Sequence, residues 1–68
     1  MTNPDTIRLA IDALGGCERA AVLLHVNDRT VRRWYSGARP PGPTSLNVLQ
    51  TALIARAMSI RNLAEEIT

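Results

Sequence analysis

The sequence predicts an all-α fold, and three observations carry that expectation. Its apolar residues are mostly Ala, Leu, Ile and Val, with no Phe, one Trp and one Tyr, a palette that suits small helices better than strands. No stretch alternates apolar and polar residues long enough to make a half-buried strand. Apolar residues recur instead three and four apart, between residues that start and stop helices. A chain of 68 residues is expected to form one thin-cored domain, 1–68, with four or five helices and no room for a sizeable enclosed active site.

The elements follow in order. Asn3-Pro4-Asp5 is a strong helix start: Asn caps, Pro fits the first helical position, and Asp favours the positive end of the dipole. Ile7, Ala10, Ile11 and Leu14 follow as one apolar stripe, so the first helix is expected over 4–14, ended by Gly15-Gly16 with Gly15 left-handed. Arg8 is left to face solvent or a phosphate. The second helix is expected over 17–24, with Ala20, Ala21 and Leu24 on one side and two alanines that allow close approach. His25-Val26-Asn27 forms the turn, with Val26 expected to tuck beneath it. The third helix runs from Asp28 to Ser36, capped by Asn27 and closed by Gly37.

This third helix is the centre of the chain. At about 100° per residue, Val31 and Trp34 share one face. Arg29, Arg32, Arg33 and Ser36 fall opposite, with Tyr35 at the boundary. A short helix that buries two apolar anchors and turns three guanidinium groups to solvent suits a grooved polyanion. Charge distribution points the same way. All basic residues are Arg, and 19–39 carry Arg19, Arg29, Arg32, Arg33 and Arg39 against Asp28 alone, a local +4 within a net +2. Such clustering is the footprint of a nucleic-acid binder.

The pattern Ala21, Val26, Val31, Trp34 and Gly37 resembles the helix-turn-helix of small phage-type transcriptional regulators, the Cro and lambdoid-repressor kind. Ala20, Ala21, Leu24, Val26, Val31 and Trp34 stand at that family's buried motif positions. The ending Trp34-Tyr35-Ser36-Gly37-Ala38-Arg39-Pro40 is similar to the family's W-x-x-G-x-R-P. The match covers about a third of the chain. Two departures stand out. His25 replaces the usual turn Gly, a position usually left-handed, and His tolerates positive φ better than most residues. Cys17 replaces the usual Gln or Ser, whose side chain touches a phosphate.

The resemblance implies that Asn27, Asp28, Arg29, Arg32, Arg33 and Ser36 face DNA. The major groove is about 12 Å wide and admits one helix, and the Arg fork matches guanine O6 and N7. Base readers are expected to be Arg29, Arg33 and either Asn27 or Arg32. Asp28 either accepts from a cytosine amine or holds Arg32 one turn along, the second being favoured. Arg19, Ser36 and Arg39 are the candidates for phosphate, where contacts position without specifying. Arg39 is held by the stiff Pro40-Pro41-Gly42-Pro43 loop.

A fourth helix is expected over about 44–58. Leu46, Leu49, Leu53 and Ala57 make its core stripe, Val48, Ala52 and Ala55 a second face of small residues, and Ile54 and Met58 a third. A helix apolar on nearly every side must be covered on nearly every side. Beyond Ser59, a possible cap, Ile60, Leu63, Ala64 and Ile67 form another stripe, as a fifth helix or a continuation of the fourth. A twofold homodimer through 44–68 is expected, using Val48, Ala52, Ile54, Ala55, Met58, Ile60, Leu63 and Ile67, with recognition helices about 34 Å apart in successive major grooves.

Other chemistry finds little support. His25 and Cys17 are about 12 Å apart along one helix, too far for a dyad. One His and one Cys make no structural zinc site. A lone Cys fits a reducing compartment, and no secretory signal or membrane span is expected. The chain is therefore expected to be a cytoplasmic, non-enzymatic, cofactor-free repressor of double-stranded DNA, binding an inverted repeat as a homodimer, with no small-molecule ligand. The resemblance implies a phage, prophage or mobile-element source, and autorepressors of the anti-CRISPR-associated type are one candidate subgroup. Two other functions fit the same residues: a protein-binding module such as an antitoxin, and an RNA-binding adaptor.

Overall fold

The computed structural model describes residues 3–67, so residues 1, 2 and 68 of the expected 1–68 domain lie outside the described residues. The described chain is four helices: α1 Pro4–Ala13, α2 Cys17–Leu24, α3 Asp28–Ser36 and α4 Pro43–Ile67. It contains no strand among the described residues.

Local chemistry accounts for the helix ends. Asn3 caps α1 through its Oδ1, which accepts from the Asp5 N–H at 2.8 Å, and Pro4 opens the helix where no N–H is needed. α1 closes one residue earlier than expected, with Leu14 as its C-cap. The Gly16 N–H then reaches the Ile11 carbonyl at 3.0 Å and the Gly15 N–H reaches Asp12 at 3.0 Å. Gly15 sits at φ 104°, the left-handed region that this closure requires. At the end of α2, His25 adopts φ 57°, ψ 41°. It is the one non-glycine residue at positive φ among those described, as the turn position demanded.

α2 and α3 form the most extensive pairing, and α1 packs across α3. Ile7, Ala10, Ile11, Leu14, Ala20, Ala21, Leu24, Val31, Trp34 and Leu49 make the core. Thus the apolar stripes expected on the first three helices are the faces that pack. Trp34 is 5% exposed and shares a groove with Pro4, Ile7, Pro40, Pro41, Pro43 and Leu46, so its ring joins α1, the proline loop and the start of α4.

Two expectations change, and the choice left open for the last segment is decided. Val26 is 37% exposed rather than tucked under the turn. Its N–H, bonded to the Ala21 carbonyl at 3.0 Å, closes the turn, and its side chain lies at the rim of a hollow shared with Leu24, Trp34 and Val48. The fourth helix starts at Pro43 and runs unbroken to Ile67. Ser59 is helical, not a cap, because no Gly or Pro interrupts the run and a mid-helix Ser costs only about 0.5 kcal/mol. Finally, Ala57 is exposed. α4 meets the core through Leu49, with Leu46, Ala52 and Leu53 partly covered, and every described residue from Ile54 onward is exposed.

The second half of α4 therefore projects from the body. Twenty-five residues make a rod of about 37 Å, which accounts for principal extents of 43 × 23 × 19 Å. No helix among the described residues is long and apolar enough to cross a membrane.

A core of this size rarely supplies more than about 3–5 kcal/mol, and truncating a buried Trp costs about 3–5 kcal/mol. Trp34→Ala should therefore leave the chain largely unfolded at 25 °C, seen as loss of a cooperative urea transition by circular dichroism. A Trp34→Ala protein that melts like the parent would show that the ring is not the anchor described.

Candidate nucleic-acid interface

α3 is held at both ends. Asn27 has extended backbone angles, and its Oδ1 accepts from the Arg29 N–H at 2.9 Å. Gly37 closes the helix at φ 82°, and the Arg39 N–H returns to the Arg33 carbonyl at 3.3 Å. The Ser36 hydroxyl donates to that same carbonyl at 3.1 Å and accepts from the Ala38 N–H at 3.3 Å. Ser36, a candidate phosphate contact, thus already has its hydroxyl hydrogen committed to helix closure. Asn27 keeps its amide N–H groups for an outside acceptor, since only its oxygen is used in the cap.

Val31 and Trp34 face inward at 0% and 5% exposure, while Arg29, Arg32, Arg33 and Ser36 are all exposed. The four differ in position and partners. Arg29 and Ser36 lie directly opposite the buried face, with Arg32 and Arg33 about 50° to either side. Arg32 leans toward α2, pairing with Asp28 at 3.5 Å and with Glu18 at 3.7 Å. The Asp28–Arg32 contact is the one-turn pair that the spacing favoured. Arg33 leans the other way and lines a hollow of about 240 Å³ with Thr30, Arg39 and Ser45. Arg29, Arg33, Arg19 and Arg39 make no ion pair among the described residues.

The Arg32 pairs are solvent-exposed, with side chains 48–80% accessible, and such pairs contribute about 0–1 kcal/mol. They orient Arg32 more than they stabilise the fold. Arg19 takes another course. Its Cγ lies 3.0 Å from where a Cβ on Gly15 would stand, so its stem runs back across the α1–α2 turn.

Arg8 corrects an expectation. Its side chain stays 44% exposed but is not free: its Nε donates to the Tyr35 carbonyl at 2.8 Å, and its Nη1 meets Asp5 at 3.5 Å. A guanidinium at the carbonyl end of α3 also suits the negative end of the helix dipole. Arg8 thus ties α1 to the last turn of α3. A second tie lies beside it, where the Tyr35 hydroxyl donates to Asp12 Oδ2 at 3.4 Å. No sequence signal marks either contact, because the partners lie 27 and 23 residues apart.

The residues proposed for self-association occupy α4. Val48, Ile54, Met58, Ile60, Leu63 and Ile67 are between 42% and 86% exposed; Ala55 is exposed and Ala52 partly covered. They do not share one face. Ile60, Leu63 and Ile67 fall within about 60° of one another, whereas Ile54 and Met58 lie roughly 120–180° around the helix from them. One straight seam cannot bury both sets. Leu23 of α2, 45% exposed, joins Val48, Ala52 and Ala55 along a shallow groove, a neighbour that α4 periodicity alone cannot supply.

No group of three or more His, Cys, Asp or Glu side chains among the described residues is arranged to hold a metal. The titration of Tyr35 provides a check on the α1–α3 tie. The hydrogen bond to Asp12, then the negative charge of that carboxylate, raise the phenol above its ordinary 10.0. The tie favours the folded chain while the phenol keeps its proton, and its contribution is lost as pH rises through the raised value. Asp12→Ala should return the phenolate absorbance midpoint toward 10.0, and an unchanged midpoint would place the cause elsewhere. No protein-family model matches the chain, and no curated protein or solved structure matches it either.

Proposed function

We propose that this chain is a sequence-specific repressor of transcription that binds double-stranded DNA as a homodimer, with α2 and α3 as a helix-turn-helix. The observation that supports this most is the outer face of α3. Among the described residues Arg29 and Arg33 make no ion pair there, on a helix whose other face is seated by Val31 and Trp34. Guanidinium groups presented on one side of a seated, exposed rod suit major-groove reading.

Arg29, central on that face, and Arg33 read base edges. Asn27 is well suited to an acceptor through its amide donors. Arg32, already shared between Asp28 and Glu18, joins by exchanging weak exposed pairs for DNA acceptors. Arg39 and Arg19 meet phosphates, and Arg39 works beside Arg33 at the edge of the same hollow. Repression acts by occlusion: a dimer seated on an inverted repeat blocks polymerase at a promoter, in an autorepressor the chain's own. No cofactor takes part.

Heterologous binding is the second reading, as in an antitoxin, and the exposed Ile54 and Met58 face favours it. A stoichiometric foreign partner in pulldowns, with no duplex selected, would decide for it. RNA binding is disfavoured physically, since the deep, narrow A-form major groove does not admit a helix.

Selection from a random duplex pool should yield a palindromic motif, and enrichment without any consensus would overturn the proposal. On that motif, Arg29→Ala should cost about 1–3 kcal/mol and relax preference at one base pair per half-site. Arg39→Ala should instead weaken all duplexes nearly equally and lower the salt slope by about one phosphate. If the two variants behave alike across sequences, the division between readers and positioners is wrong.

A further inference from the structure

Between Asp12 and Glu65 the sequence holds two carboxylates, Glu18 and Asp28, in a stretch otherwise charged by arginine alone. Both meet the same atom: Nη2 of Arg32 lies 3.5 Å from Asp28 Oδ2 and 3.7 Å from Glu18 Oε1. Each acid stands in the first turn of its helix, where a carboxylate favours the dipole. The dipole explains those positions, but not why Glu18 reaches across to a guanidinium on α3. The two contacts differ in how they respond to a moving side chain. Asp28 lies on the same helix, one turn before Arg32, and stays beside it when it turns. Glu18 is anchored on α2, so an Arg32 that swings away from α2 into a groove leaves Glu18 behind.

We propose that Glu18 is an internal competitor of the operator: it holds Arg32 in the free chain and is displaced when that guanidinium reads a base edge. This rests on the DNA-binding function proposed above, and it makes Glu18 a positioning residue that lowers the affinity of the same site.

Magnitudes decide which partner wins. An exposed pair changes an equilibrium by at most about fivefold. Both pairs here are long beside strong charge-assisted contacts, which run at about 2.7–2.9 Å. They also share a single nitrogen, so neither carboxylate engages the guanidinium as a fork. Guanine O6 and N7 match that fork, which is worth about 5- to 150-fold against a wrong base. Arg32 therefore exchanges Glu18 for guanine, and operator binding is weaker by what the Glu18 pair contributes to the free chain. The opposite arrangement keeps Arg32 on Glu18 in the complex, shielding that carboxylate from nearby phosphates. Removing Glu18 and Arg32 singly and together separates the two, because the competition makes their effects couple with one sign and the shielding with the other.

The test measures affinity for the duplex that the parent selects, with the parent, Glu18→Gln, Arg32→Ala and the double variant. The Glu18 and Arg32 side chains are 80% and 61% exposed, so each variant should keep the parent's circular dichroism. Glu66→Gln removes the same charge from an exposed site in the last turn of α4 and corrects for net charge. Glu18→Gln should tighten operator binding about two- to fivefold beyond Glu66→Gln. In the Arg32→Ala background that gain should vanish, and Arg32→Ala should cost more in Glu18→Gln than in the parent. A gain no larger than that of Glu66→Gln overturns the competition. So does a gain that persists or grows once Arg32 is gone, and growth would show that Arg32 shields Glu18 instead. A parent that selects no duplex overturns the function proposed above, and the role of Glu18 with it.

Discussion

Trp34 governs how the rest of the molecule is arranged. Its indole is buried where α1, the proline loop and the start of α4 converge, and it sits on the same helix as the arginines. With Val31 it fixes both the depth and the rotation of α3. Once those two side chains are seated, Arg29, Arg32 and Arg33 have no direction left but outward. A short helix of marginal intrinsic stability thus becomes a rigid carrier of charge because tertiary packing holds one side of it.

The electrostatics divide along the same line. Arg8, on the α1 side of α3, is engaged within the chain: it donates to the Tyr35 carbonyl and steadies the last turn of α3. Arg32 is partly engaged by Asp28 and Glu18. Arg29, Arg33, Arg19 and Arg39 have no ion-pair partner among the described residues. Charges already satisfied within the fold set geometry, and charges left unsatisfied are those a polyanion can use without breaking anything.

α4 is a different kind of object. Its first turns cover the core through Leu46, Leu49 and Leu53, and its remainder leaves the body as a bare rod. A helix that carries Ile60, Leu63 and Ile67 into water is costly for an isolated chain, since apolar patches of that extent mark contact surfaces.

Much of this was legible in the residues. Asn3, Asn27, Gly15 and Gly37 mark their helix ends by cap chemistry. Stripes such as Ile7-Ala10-Ile11-Leu14 mark buried faces by period, and the outward set on α3 follows from Val31 and Trp34. These features depend on neighbours three or four residues away, so covalent spacing determines them. Tertiary structure alone decided that Arg8 reaches a carbonyl 27 residues distant, that Val26 stays at a rim, that Ala57 lies beyond the core, and that Leu23 borders the α4 groove. Such contacts depend on crossing angles and on where one helix outruns another, and periodicity along a single helix contains neither quantity.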